Sequence, residues 1–252
     1  MKYIFIFFAF LSTTLAFAQG SGRITYEEKM NLHKNLPPDR QEMKEMIPEF
    51  NTTMFSLTFN GDESIYQPQK ESEESEVTSN SGGNQMTMRF GRENRIVYKN
   101  LALDTMIESR EFMQKQFLIV GAPTARKWKI GKNQKEILGH KCMEANFRLD
   151  STTSMVVWFT PEIQVSNGPS DYQGLPGLIL GVDINDGLRM ITATDIKLAD
   201  VDISVIIAPT KGKEVTSEEF EKIRKDKMKE MHMNNPGGGP GGPGTMIMIR
   251  HN

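Results

Sequence analysis

"DYQGLPGLILGVDIN", residues Asp171 to Asn185, sets Gly174, Gly177 and Gly181 into an otherwise largely apolar run. Three chemistries place glycines at such intervals: a phosphate cradle, a nucleophile elbow and a tight turn. A Walker loop needs Gly-Lys-Ser/Thr after its glycines and a dinucleotide loop needs G-x-G-x-x-G; neither pattern is met. Phosphate cradles aim backbone N–H groups at oxygen, and Pro176 has none to aim. An elbow needs Gly-x-Ser-x-Gly, whereas the nearest serine, Ser170, sits in Pro169-Ser170-Asp171. Turn chemistry remains. Asn167-Gly168-Pro169 and Gly174-Leu175-Pro176-Gly177 join a proline that presets φ to a glycine that takes the positive φ of a type II turn. Leu178, Ile179, Leu180 and Val182 then read as a buried strand, so the run predicts a rigid turn launching a core strand.

Outward from this turn the chain keeps a two-residue rhythm. Ile24, Tyr26, Met30 and Leu32 hold nearly to alternate positions, Phe55, Leu57 and Phe59 do so strictly, and Val201, Ile203, Val205 and Ile207 repeat it. Further β-rich runs begin at Arg95, Gln114, Lys127, Glu136, Met155 and Arg189. Two segments read as helix. "PDRQEMKEMI", Pro38 to Ile47, carries proline in its first turn and is stopped by Pro48. From Thr216 to Met233, Thr216 and Glu219 have capping-box spacing and the last turns are rich in lysine. The pattern predicts a mainly β fold: an antiparallel meander forming a curved sheet or open half-barrel, with a C-terminal helix and a short N-terminal helix.

The ends and the low-complexity tracts set the organisation. Residues 1–18 read as a signal peptide, with Lys2, a short apolar core and Ala16-Phe17-Ala18 before the cut. That core is too short to span a bilayer, and no later run is long enough. Residues 19–233 form one β-rich domain with a flexible insertion near 61–85, where "QKESEESEVTSNSGGNQ" lacks the apolar area to offset its ordering entropy. "NNPGGGPGGPG", Asn234 to Gly244, is a flexible tether, and "TMIMIRHN" beyond it alternates like a terminal edge strand. A formal net charge of −2 gives no footprint for nucleic acid. The single cysteine, Cys142, allows no internal disulfide.

With these runs in place the chain resembles the GLPGLI family of exported Gram-negative envelope proteins. The likeness rests on "GRITYE" at Gly22, "YKNL" at Tyr98, W-x-I at Trp128, "ILGHKCMEA" at Ile137, "VWFTPEI" at Val157, "GPSDYQGLPGLIL" at Gly168 and "PTKGKEVTSEEFEK" at Pro209. His140 departs from the pattern, where an aromatic residue is common. The resemblance implies a periplasmic or outer-membrane-associated protein of unknown function, at times found beside TonB-dependent transporters.

Candidate site residues fall into three groups. Trp128, Trp158 and Tyr172, with the motif residues Gly174, Leu175, Pro176 and Gly177, would line an apolar cavity in an open sheet or form its structural core. His140 and Cys142, two apart on one strand, carry imidazole and thiolate ligands of the kind zinc or copper takes, and the cluster Met228, Met231, His232 and Met233 carries thioether and imidazole ligands of the kind monovalent copper takes. Ordinary packing is the competing reading of both sets, since seventeen methionines suit core filling. Ser170 and Asp171 would serve a hydrolase only with a histidine within reach. The expected function is a non-catalytic envelope protein binding an apolar ligand or an envelope protein such as a TonB-dependent transporter. A copper-binding protein and an envelope hydrolase are the alternatives.

Overall fold

A computed structural model describes residues 20–36, 38–45, 47–69, 75–81, 84–90, 94–148, 150, 153–199, 201–234 and 245–250. For 39–40, 75–81, 84–90, 231–234 and 245–250 the backbone alone is described. The expected leader, the Gly/Pro tether and part of the acidic tract lie outside these residues.

The strands are β1 (Ser21–Asn31), β2 (Phe50–Asn60), β3 (Glu63–Pro68), β4 (Ser75–Ser81), β5 (Asn84–Phe90), β6 (Ile96–Asn100), β7 (Thr105–Phe112) and β8 (Lys115–Gly121). They continue with β9 (Lys129–Ile137), β10 (His140–Arg148), β11 (Ser154–Thr160), β12 (Leu178–Ile184), β13 (Arg189–Leu198), β14 (Lys213–Val215) and β15 (Thr245–Arg250). One helix, α1 (Ser217–Asn234), follows β14. Twelve strands make one sheet in the order β14-β8-β7-β6-β3-β2-β1-β13-β12-β11-β10-β9. The fold is mainly β, as the alternation predicts, and every pair in this sheet is antiparallel except β14 with β8.

Chain order explains the shape. From β1 the chain meanders out to β8, then runs along residues 122–128 to β9 at the opposite end, and meanders back through β13 to β1. β8 and β9 are ten strand positions apart, about 48 Å on a flat sheet at ~4.8 Å per strand. The eight peptide units from Gly121 to Lys129 reach at most about 28 Å. The sheet must therefore curl, giving an open half-barrel whose end strands do not pair.

The core lies on one face of this sheet. Ile24, Tyr26, Phe55, Leu57, Phe59, Tyr66, Val157, Val182 and Ile191 are buried there in one cluster. Phe55 stacks on Tyr66 at 4.7 Å between centroids, and Tyr26 meets Tyr66 edge-on at 6.1 Å. Gly22 leaves room for this packing, since a Cβ there would lie 2.5 Å from the Phe59 ring. A second, small cluster of Phe117, Ile119, Val215 and Phe220 holds the first turns of α1 on β8.

Two expectations are corrected. Val201 to Ile207 forms no strand: Asp202 caps a 3-10 turn over Ile203–Val205 by accepting from the Ser204 N–H, and Ile203 and Ile207 are 43% and 69% exposed. The short helix expected from Pro38 to Ile47 is present as a 3-10 helix over Pro38–Glu45. In the tract expected to be a flexible insertion, β3 begins at Glu63 and buries Ile65 and Tyr66, and β4 and β5 form a hairpin. In the terminal strip, β15 lies antiparallel to β5 as an edge of a separate three-stranded sheet.

Candidate functional site

The long connection between β11 and β12, residues 161–177, folds back over the core face of the sheet. Ile163, Val165, Tyr172 and Leu175 join the main core cluster. The connection thus plugs the half-barrel with its own chain.

Its turns differ in detail from the type II turns expected. The Tyr172 N–H donates to Pro169 O at 3.1 Å, and the positive φ in that turn falls on Ser170 (φ 53), not on Gly168. Gly168 is needed for space, since a Cβ would lie 2.8 Å from that of Ile179. Around Pro176 the Gly177 N–H donates to Leu175 O at 2.8 Å, closing a three-residue turn. Gly177 (φ 150) runs so close to β11 that a Cβ would lie 2.1 Å from Thr160 O.

Buried polar groups from the first half of the chain staple the plug. Lys99, fully buried on β6, donates to Gly168 O at 2.9 Å and Tyr172 O at 3.4 Å. Asn167 donates to Ser64 Oγ on β3 at 2.9 Å. Arg95 donates to Ser170 Oγ at 2.9 Å and to Glu28 Oε2 at 3.3 Å. Glu28 also accepts from Tyr66 and pairs with Arg189. The Tyr26 hydroxyl donates to Ile179 O at 2.7 Å where β12 begins.

From the 122–128 connection, Arg126 pairs with the Asp171 carboxylate, donates to Asp171 O at 2.9 Å and lies 4.8 Å over the Tyr172 ring. Trp128 Nε1 donates to Gln173 O at 2.8 Å.

The electrostatics follow from this crowding. Burial lowers the Lys99 amine to about 7, with Arg126 pushing the same way and Asp171 opposing. For Asp171 burial acts to raise the carboxyl, but the Arg126 guanidinium, with Arg95 and Lys99, holds it below the usual range. Sequence alternation contains a signal for these groups. Glu28 fills the gap in the Ile24–Tyr26 rhythm and Lys99 keeps the inward parity of Val97, so a charge at an apolar position marks the network.

The predicted site residues are partly brought together. Trp128, Tyr172, Gly174, Leu175, Pro176 and Gly177 meet at the plug, where Tyr172 and Leu175 are buried. Trp158 stands in the row Glu144–Trp158–Gly181, next to the buried row Ala145–Val157–Val182, and adjacent rows face opposite sides. It is covered by Lys135, 4.4 Å over its ring.

His140 Nδ1 lies 2.8 Å from Glu162, while Cys142 is buried in the core and its thiol is pushed up to about 11, chiefly by burial. Met228 is half-buried on α1; the side chains of Met231, His232 and Met233 lie outside the described residues. Met86 and Met88 occupy positions opposite Ile249 and Ile247, so Met246 and Met248 fall on the other face of that sheet. Among the described residues, no three His, Cys, Asp or Glu are placed to hold a metal ion. No helix among them is long and apolar enough to cross a membrane.

A family model described as "Protein of unknown function (Porph_ging)" matches residues 148–181, which span β11 and the plug. No curated protein matches the chain. Among solved structures, PNGF-II is similar in two crystal forms, each with TM-score 0.53, 14% identity and 81% of this chain covered. This chain spans about a third of the length of PNGF-II, 33% and 32% in the two forms. That likeness is one of fold. An uncharacterized conserved protein from Thermus thermophilus is more distant, with TM-score 0.40 and 6% identity over 79% of this chain and 91% of that one.

Proposed function

We propose that the chain is an exported cell-envelope protein of the GLPGLI kind that works by binding a partner protein. The resemblance suggests an outer-membrane transporter of the TonB-dependent kind as the class of partner. The observation that supports binding a protein over enclosing an apolar ligand is the plug. Tyr172 and Leu175 occupy the concave side of the sheet, where a half-barrel would otherwise hold a ligand. Catalysis finds less support at the motif, because Ser170 is buried and bonded to Arg95 and Asp171. The histidines with described partners lie against Ile47 O and Glu162.

Native mass spectrometry of the mature protein, taken from its own envelope fraction, tests this. A complex with a second protein in fixed ratio is expected. A co-purifying lipid with no protein would favour the apolar-ligand reading instead. An N-terminus other than Gln19 would remove the basis for export through the expected leader.

A further inference from the structure

β9 ends the twelve-stranded sheet, bonded to β10 on one side and, among the described residues, to no strand on the other. All nine of its residues are exposed except Gly131 and Ile137. The opposite edge, β14, offers three residues and leads straight into α1. Edge β9 is thus a row of unpaired backbone groups long enough to accept another strand.

The charge beside this edge is mainly positive, with exposed Glu136 near the far end of β9 as its one acid. From Lys127 to Lys135 the sequence holds four lysines and no acid. Lys135 is occupied over Trp158, and the facing carboxylate, Glu144, is taken up by Asn133 and Asn146. Where β9 begins, a shallow groove is lined by exposed Lys127, Lys129 and Arg148 and by the less exposed Phe147, Met155 and Val156. Pairing β9 with the β9 of a second copy would bring the lysines of both copies together with only Glu136 from each to offset them, which is unfavourable. An acidic strand would meet complementary charge at Lys127, Lys129 and Lys132.

We propose that the β9 edge binds an acidic, extended peptide segment of a partner protein as an added strand. It pairs with the regular stretch Gln134–Ile137, beyond the register shift opposite Glu144, and carries carboxylates toward Lys132, Lys129 and Lys127. Backbone bonds supply affinity and the lysines select acidic sequences. This rests on the partner-binding reading above and names the chemistry of the partner.

The test is fluorescence anisotropy of the mature protein with a labelled ten-residue peptide alternating Glu with Val and Thr. Controls are its Lys-for-Glu analogue, a version N-methylated at alternate backbone nitrogens, and phosphatidylglycerol vesicles. The acidic peptide is expected to bind and the lysine analogue to fail. N-methylation should weaken binding at least tenfold, and the exposed double variant K129E/K132E roughly five- to tenfold, as expected for two exposed charge pairs.

Equal binding of the lysine analogue, indifference to N-methylation, or an unchanged affinity in K129E/K132E each overturns the proposal. So does binding of the vesicles with no binding of the peptide. If K129E/K132E carries the co-purifying protein at the same occupancy as wild type across a dilution series in native mass spectrometry, the edge proposal fails while the partner-binding reading stands. Loss of every partner from the wild type sinks the latter.

Discussion

Lys99 shows how a single residue ties the motif to the fold. Its amine titrates near 7 when folded, against 10.5 for the ordinary group, because burial penalises the charged form first. Between these values the unfolded chain binds the proton that the folded chain releases, so stability rises with pH from about 7 upward. Wild type is expected to gain stability between pH 6 and pH 9, by an amount on the order of a few kcal/mol. K99M should flatten that profile, although it strips Gly168 O and Tyr172 O of their donor. Urea titrations across the range check this, and parallel profiles for the two proteins would refute it. The motif glycines separate on the same scale. Gly174 (φ 86) has only the Trp128 ring 3.7 Å from its missing Cβ, so G174A should cost about 1 kcal/mol of strain. G177A must displace the β11 backbone and should cost more than about 3 kcal/mol or prevent folding. Denaturation midpoints of the two variants distinguish these outcomes.

Elements were legible where local chemistry closes on itself and illegible where it does not. At the start of α1 the capping box predicted from Thr216 and Glu219 is present, the Thr216 N–H donating to Glu219 at 2.8 Å and Thr216 Oγ1 accepting in return at 3.2 Å. Alternation was a sound guide at Phe55–Phe59, because those residues pair on both sides. It misled at Val201–Ile207, because a strand needs a neighbour and Asp202 offered the backbone a local bond instead. For α1 the packing is confined to its first turns, where Phe220 meets Phe112 and Phe117 edge-on at 6.0 and 5.3 Å. F220A is therefore expected to cost about 3–5 kcal/mol of local packing. Hydrogen exchange should show loss of protection in α1 while β1, β2 and β13 keep theirs. If the main sheet loses protection equally, the helix is part of the cooperative core and not an appendage.

At the scale of the whole molecule, strand order escaped the sequence, because alternation marks a strand and says nothing about its distant neighbour. That β1 pairs with β13, and β8 lies ten positions from β9, follows from long-range contacts alone. Once the order is known, the short 122–128 connection demands curvature, yet it need not be what maintains it. The plug offers a second cause. Its ends belong to β11 and β12, while Asn167, Ser170 and Gly168 are bonded from β3, Arg95 and β6, so it joins the two meanders across the concave face. The two causes separate if the connection is cut. A protease site introduced at exposed Thr124 would divide the chain between β8 and β9, leaving β1 paired with β13 and the plug bonded to the first fragment. If the plug holds the curl, the nicked protein should run as one species on size exclusion at micromolar concentration, with an unchanged far-UV spectrum. Adding N167A, which removes the bond to Ser64, should then raise fragment dissociation roughly fivefold, the effect of about 1 kcal/mol. Fragments that separate on cutting, or an N167A variant no weaker than its parent, would assign the curvature to the tether instead.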